Sequence, residues 1–405
     1  MNQPILISIT GVDRPGITAS VTEVLAEFNV HVLDIGQSVI HDALSLGMLV
    51  QVPVESEADT VKVSVQRKID ELGMSVRFAD ISFESYGNWV GGSGKARHIV
   101  TLLARRITAH QISRLSRIVV ENGLNIDKIS RLSGRVPLES FGSDGKACVE
   151  FSLRGSVRDL PSLRREFLAL ANEIEVDIAY QEENVYRRNR RLVAFDMDST
   201  LIQAEVIDEL AKRAGVGEQV AQITERAMRG KMDFEAGLRQ RVALLKGMPE
   251  SVLAEVAATL TLTDGMERLM STLKKLGYKT AILSGGFMYV GRALQRRFGF
   301  DYVYANDLEI ENGLVSGNIV GEIVDGERKA SLLASIAAHE GFSLEQTIAV
   351  GDGANDLPML SIAGLGIAFR AKPIVKESAK QSLNTQGLDG ILYLMGLSER
   401  ETKSS

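Results

Sequence analysis

Only one cysteine, Cys148, occurs in the 405 residues, so the chain can close no disulfide within itself. That usage suits a reducing compartment, and a cytoplasmic enzyme is the expectation. No run of about 18 uninterrupted apolar residues occurs, so no spanning helix and no membrane partner are expected. Met1 to Thr10 lacks a basic stretch leading into an apolar segment, so no secretory signal is expected there. A basic excess is missing too. The 46 Lys and Arg stand against 52 Asp and Glu, for a net charge of −6, so no nucleic-acid partner is expected. Histidine is scarce. Residues 31, 41, 98, 110 and 339 are the five, and none offers an evident base beside a G-x-S-x-G elbow, which removes a serine hydrolase built on Ser284.

Three sections are present, and the first two follow one plan. Residues 5–11 read as a strand, and 15–29 as a helix with Ile17, Val21, Val24, Leu25 and Phe28 on one face. Asp13 and Pro15 read as its start signals, a capping carboxylate and a first-turn proline. Strands near 31–41 and 44–54, a helix near 58–72 and a strand at 75–84 complete a β-α-β-β-α-β order. Residues 87–97 are glycine-rich and read as a linker, with Trp89 expected to pack against a neighbouring domain. The fragment Gly91-Gly92-Ser93-Gly94-Lys95 is no phosphate loop, because Ala96 takes the Ser/Thr place. The same order then repeats, with a strand at 98–106, a helix near 109–122, strands near 125–134 and 147–155, a helix near 160–173 and a strand near 176–182. Arg187, Arg188, Arg190 and Arg191 follow and read as a solvated hinge. The domain limits expected are 1–86, 98–184 and 192–397.

The third section alternates short apolar runs with helical segments. Leu192–Phe195, Thr280–Leu283, Thr347–Val350 and Leu365–Phe369 are continuous apolar runs, as parallel strands buried on both faces require. The fold class is therefore α/β with a doubly wound parallel sheet, preceded by two βαββαβ units of α+β type. Ligands in such sheets sit beyond the carboxyl ends of the strands. Those ends carry Asp196-Met197-Asp198-Ser199-Thr200, Ser284-Gly285-Gly286 and Gly351-Asp352-Gly353-Ala354-Asn355-Asp356. Carboxylates brought together there repel one another unless a cation is present, and hard oxygen ligands favour Mg2+ in a phosphate site. Lys329 adds positive charge against phosphoryl oxygens. Asp196 suits attack on phosphorus, and Asp198, two residues on, suits protonation of a poor leaving group and later activation of water.

From Leu192 to about Leu397, these motifs resemble the haloacid dehalogenase superfamily, and within it the phosphoserine phosphatases. The resemblance implies a haloacid-dehalogenase-like domain with a small helical cap at roughly 203–265. It implies that Glu205 meets the amino group of phosphoserine, that Arg241 meets its carboxylate, and that Met228 and Phe234 line the pocket. It further implies metal ligation by Asp196 and Asp352 through carboxylates and by Asp198 through its carbonyl, with Asp356 supporting that shell. Ser284, Gly285 and Asn355, with Lys329, would hold phosphate or substrate. The charges agree with this. Magnesium with Lys329, Arg241 and Glu205 answers the phosphate, carboxylate and amine of phosphoserine in turn, and Arg241 can pair bidentately.

The first two sections resemble tandem ACT domains, through Gly11-Val12-Asp13-Arg14-Pro15-Gly16-Ile17 and the strand order. That resemblance implies an amino-acid effector near Asp13 to Gly16 and a homodimer. The second unit departs from it, with Arg105-Arg106-Ile107-Thr108-Ala109-His110 at the turn. The function expected is hydrolysis of phosphoserine, with phosphoryl transfer to another alcohol as the alternative. A sensor with an inactive catalytic domain is disfavoured by the intact Asp196, Asp198, Lys329 and Asp352.

Overall fold

A computed structural model describes residues 3–94, 96–135, 137, 145–228 and 232–403. It divides into two compact units, Met1–Lys95 and Ala96–Ser405.

The first unit is a four-stranded antiparallel sheet packed against two helices, with a third helix after it. Its strands are β1 (Ile5–Val12), β2 (His31–Ile40), β3 (Ala43–Gln51) and β4 (Ser75–Asp80), in the order β2-β3-β1-β4. Alternation on β1 and β3 buries Ile5, Ile7, Ile9, Leu44, Leu46 and Met48 against the helices Ile17–Glu27 and Ala58–Glu71. Asp13 does not cap the first helix as its position suggested. Gly16 stands at that place with φ 92°, and Asp13 instead donates its N–H to the carbonyl of Asp42 at 2.7 Å. The turn through Pro15 puts Asp13 too far ahead of the first helical residue.

The expected linker is partly helical. Residues Phe83–Gly91 form a helix whose Ser82 side chain accepts from the N–H of Ser85, followed by a single tight turn at Gly92–Gly94. A capping serine outweighs the two glycines within this segment. Trp89 lies on this helix with its ring centroid 6.0 Å from that of Tyr86 one turn back. Lys95 lies outside the described residues.

The second unit opens with β5 (Arg97–Ala104), β6 (Asn125–Arg131), β7 (Ala147–Arg154) and β8 (Asp177–Glu182). Their order, β6-β7-β5-β8, repeats that of the first unit, so the duplication read in the sequence holds in space. Thr108 and Gln111 form a capping box ahead of the helix Ala109–Glu121.

A seven-stranded sheet follows. Its strands are β9 (Leu192–Phe195), β10 (Lys279–Phe287), β11 (Tyr302–Glu311), β12 (Leu314–Val320), β13 (Thr347–Gly351), β14 (Leu365–Phe369) and β15 (Gln381–Leu383). The order is β12-β11-β10-β9-β13-β14-β15, all parallel except β12. The sheet reverses its winding at β9, between β10 and β13, so three strand tips share one edge. The β11–β12 hairpin closes on Asn312 and Gly313, with φ 52° and 77°, as a two-residue turn of positive φ requires. Four helices between Val206 and Thr259 leave this edge and form the cap. A bridge from Ile202 to Leu262 ties its two stems.

The border near 184–192 is not a hinge. Arg187 and Arg190 are buried, and Arg187 pairs with Glu150. Arg190 donates to the carbonyl of Arg187 at 3.0 Å and to Gln181 at 3.1 Å. Long arginine stems can fill space while their heads satisfy buried oxygens, which a charge count along the chain does not reveal. Leu103, Leu132, Cys148 and Ala179 of the βαββαβ module belong to the same apolar core as the large sheet. Burial pushes the Cys148 thiol upward, so it is inert. Polar seams reinforce the junction. Asp177 accepts from the N–H groups of Asn384 and Thr385 at 2.7 and 2.8 Å. Asp389, 2 % exposed, takes Lys146 at 2.6 Å and Arg268 at 3.0 Å.

Removing Asp389 strands two cations at this seam. Both are partly exposed, so Asp389→Ala should destabilise the chain by about 1–3 kcal/mol, less than for a fully buried pair. Arg297→Ala, which breaks an exposed pair with Glu267, should change stability by under about 0.5 kcal/mol. Chemical denaturation of both variants measures the contrast.

Candidate active site

Strand β9 ends at Phe195, and Asp196 is the first residue beyond it. Its N–H donates to the carbonyl of Val350 on β13 at 2.8 Å, so the ladder still holds the backbone at the reacting residue. The Oδ1 of Asp196 accepts the N–H of Met197 at 2.8 Å and lies 2.9 Å from Lys329 Nζ. Two bonds to one oxygen fix the rotation of the carboxylate.

Lys329 is fully buried. It lies in the first turn of the helix Gly326–His339, whose start is set by Asp325 accepting from the N–H of Arg328. Its ammonium also donates to Asp356 Oδ1 at 2.7 Å. Burial alone would discharge it, but Asp196 and Asp356 outweigh burial and hold it protonated. Asp356 Oδ2 accepts the N–H of Gly353 at 2.9 Å. A side chain at Gly351 would put its Cβ 2.4 Å from Asp356 Cγ, so only glycine lets this loop fold over its own aspartate.

Carboxylate oxygens of Asp196, Asp352 and Asp356 lie within 4.8 Å of one another. Asp352 accepts the hydroxyl of Thr200 at 3.1 Å. Burial, then the charges of Asp196, Asp356 and Glu205, push its carboxyl up to about 7. Three carboxyl groups against one ammonium leave a surplus of negative charge. An all-oxygen set of this kind fits a hard divalent cation, and a cation would relieve the repulsion that raises Asp352.

Asp198 is a separate case. Its Oδ2 accepts the N–H of Val206 at 3.4 Å, while its Oδ1 is buried without a hydrogen-bond partner. Burial, then the neighbouring Glu205 and Asp196, raise its pKa well above the usual carboxylate value. The two aspartates, two residues apart, thus differ in character. Asp196 is held by an ammonium, and Asp198 is driven toward its neutral acid.

Ser284 sits on β10 with its Oγ accepting the N–H of Gly286 at 3.0 Å. A Cβ on Gly286 would stand 2.8 Å from Asp198 Oδ2, and one on Gly285 would stand 2.8 Å from the ring tip of Phe234. The two glycines therefore admit the acid on one side and a cap residue on the other. Glu205 accepts the hydroxyl of Ser199 at 2.8 Å, and Ser199 adopts φ 56° to present it. Arg241 donates to the carbonyl of Gly237 at 3.2 Å, and burial lowers its pKa against the pull of Asp208, Glu205 and Asp198. Among the described residues no carboxylate forms an ion pair with it.

Models of known families match three stretches of this chain. Residues 193–361 match the haloacid dehalogenase-like hydrolases, and 3–79 and 96–181 each match an ACT domain. The phosphoserine phosphatase of Streptomyces coelicolor is 41 % identical over 99 % of this chain and 94 % of its own. The chain belongs to the phosphoserine phosphatase family. A phosphoserine phosphatase of Mycobacterium tuberculosis is 39 % identical over 99 % of this chain and 95 % of its own. A haloacid dehalogenase family hydrolase of Salmonella enterica serovar Typhi has a crystal structure that superposes with a TM-score of 0.63 at 31 % identity, over 74 % of this chain and 98 % of that one.

Within this phosphoserine phosphatase fold, the structure gathers Asp196, Asp198, Lys329, Asp352 and Asp356 at one sheet edge, with Ser284 and Gly285 on the next strand. Phe234 reaches this edge from the cap, and Glu205 lies at the cap stem. Asn355 lies in the same turn as Asp356, and its Oδ1 fills the space that a side chain at Gly353 would need. The side chain of Met228 lies outside the described residues. Sequence reasoning did not single out Asn306. Buried on β11, it donates to the carbonyl of Gly285 at 2.8 Å and accepts the N–H of Val324 at 2.9 Å. It thereby joins the glycine turn to the segment that leads to Lys329. Nothing in its sequence context signals this role. Thr200 and Gly286 were within the quoted motifs but carried no assigned part.

A cation bound here competes with a proton on Asp352. Ligation needs the deprotonated form, so affinity should fall as pH drops through about 7. Calorimetric titration with magnesium should show binding about tenfold weaker at pH 6 than at pH 8. Equal affinity at the two values would remove Asp352 from the ligand set.

Proposed function

We propose that this chain hydrolyses O-phospho-L-serine to serine and phosphate, with Mg2+ as cofactor and an aspartyl-phosphate on Asp196 as intermediate. The observation that carries the division of labour is the buried, partnerless Oδ1 of Asp198 beside an Asp196 anchored by Lys329. A neutral carboxyl group whose oxygen has no partner is set to donate to a substrate oxygen.

The Asp196 carboxylate attacks phosphorus, and the bond from phosphorus to the serine oxygen breaks. Asp198 passes its proton to that oxygen. The resulting Asp198 carboxylate then takes a proton from water, the water oxygen attacks phosphorus, and the bond to Asp196 breaks. Lys329 stays charged throughout and offsets negative charge near the attacking carboxylate. Asp196 and Asp352 through carboxylates and Asp198 through its carbonyl are the ligands we assign to Mg2+, with Asp356 supporting them. Bound there, the metal would neutralise phosphate oxygens. Ser284, Gly285 and Asn355 hold the phosphoryl group.

Arg241 supports the choice of substrate. It is a largely buried guanidinium with no carboxylate paired to it among the described residues, and a substrate carboxylate would fill that place bidentately. Glu205 offers the countercharge for the amine, while Phe234 closes the pocket from the cap. The alternative, transfer to an acceptor alcohol, differs only in what replaces water at the second step, and product analysis with and without candidate acceptors separates the two.

For the ACT domains we propose an amino-acid effector near Asp13 to Gly16 and a homodimer. The apolar edge of β2, with Val32 at 47 %, Ile35 at 49 % and Ile40 at 77 % exposure, supports self-association.

Asp196→Asn should abolish turnover while circular dichroism stays that of the parent. Normal rates from that variant would sink the nucleophile. Arg241→Ala should lose roughly 2–4 kcal/mol of transition-state binding for phosphoserine and far less for a phosphate ester without a carboxylate, read as kcat/KM for each. Equal losses on the two substrates would argue against carboxylate recognition.

A further inference from the structure

A cleft of about 580 Å3 separates the second ACT domain from the far edge of the catalytic sheet. One wall is the helix Leu160–Glu173, which presents Pro161, Arg164, Arg165 and Leu168 at helical spacing. The opposite wall is the segment from Lys376 to Lys380 that leads into β15. Phe167 and Tyr180 add an aromatic floor, their rings 6.4 Å apart.

The charges lining the cleft do not balance. Arg164, Arg165, Lys376 and Lys380 face two carboxylates, Asp177 and Glu377. Asp177 is already occupied, because it accepts bonds from Asn384 and from both the N–H and the hydroxyl of Thr385. None of the four cations forms an ion pair among the described residues. Lys380 reaches only the carbonyl of Ser361, at 3.3 Å. The Nε of Arg164 is buried with no hydrogen-bond partner. A buried guanidinium N–H without an acceptor is unfavourable, and Arg164 lines the cleft with no carboxylate paired to it among the described residues, so an anion there would pair with the rest of its guanidinium fork. This surplus stands out on a chain whose net charge is −6.

We propose that this cleft binds a small anion carrying a phosphoryl or carboxylate group, at a site distinct from the active site. The guanidinium fork suits either group, and the apolar floor accommodates a carbon skeleton. The ligand would touch both the second ACT domain and the segment ahead of β15. That strand pairs with β14, which pairs with β13, the strand that ends at Gly351 before Asp352.

The test uses the full chain without magnesium, titrated calorimetrically with pyrophosphate and, separately, with citrate, and with serine as the uncharged-overall control. Arg164→Ala and Lys376→Glu are compared with the parent. The expected result is saturable binding of at least one anion by the parent, a serine titration that neither variant changes, and a loss of tenfold or more in anion affinity in both variants. kcat and KM for phosphoserine without added anion should be unchanged. Tighter pyrophosphate identifies a phosphoryl ligand, and tighter citrate a carboxylate ligand. If Arg164→Ala does not fold, Lys376→Glu, at a partly exposed position, decides alone. Absence of anion binding by the parent, or equal binding by parent and variant, overturns the proposal.

Discussion

Like charges held together in a dry place are the constraint on which the catalytic edge depends. Asp196, Asp352 and Asp356 converge within a few ångström, and Asp198 is buried beside them. Only Lys329 among the described side chains answers them with a buried positive charge in direct contact. Its position depends on much of the domain. The helix it opens must begin at Asp325, the turn at Gly351 must fold back on Asp356, and Asn306 must tie the β10 turn to the segment before that helix. The repulsion that remains makes the site receptive to a divalent cation, and burial together with the neighbouring Glu205 and Asp196 raises the pKa of Asp198 toward that of a proton donor.

The same edge explains why glycine recurs in the motifs. At 285, 286 and 351 a Cβ would come within 2.8 Å or less of Phe234, Asp198 or Asp356. These are places where functional side chains lie against backbone, so the motif is as much about excluded volume as about reactive groups. The cap follows from the same crowding, since Phe234 reaches the sheet only because Gly285 leaves room.

The second ACT domain is built into the catalytic unit rather than attached to it. It shares an apolar core with the large sheet, and Asp177 with Asn384, Gln381 with Tyr180, and Asp389 with Lys146 stitch polar atoms across the seam. Reading the chain for hinges failed here for a physical reason. A run of arginines looks solvated when only composition is visible, yet Arg187 and Arg190 are buried because Glu150, Gln181 and a backbone carbonyl receive them. Glu150 comes from a strand 37 residues earlier, Gln181 from the strand just before, and the carbonyl from the turn itself. The helix at Phe83–Gly91 was missed for a more local reason, since Ser82 caps it in spite of its glycines.

The sequence by itself determined four of the seven strands of the large sheet, the duplication, the doubly wound class and the acidic tips that mark the active edge. Each of these is written in short-range patterns: alternation, apolar runs, and residues confined to strand ends. Tertiary structure alone decided that Asp196 is anchored by Lys329 while Asp198 is buried with an unpartnered oxygen, that Asn306 braces the glycine turn, that Arg187 and Arg190 are internal, and that a cationic cleft opens beside β15. These depend on which atoms lie within a few ångström, and residues more than a hundred positions apart, such as Asp196 and Lys329 or Thr200 and Asp352, meet only once the sheet has ordered its strands.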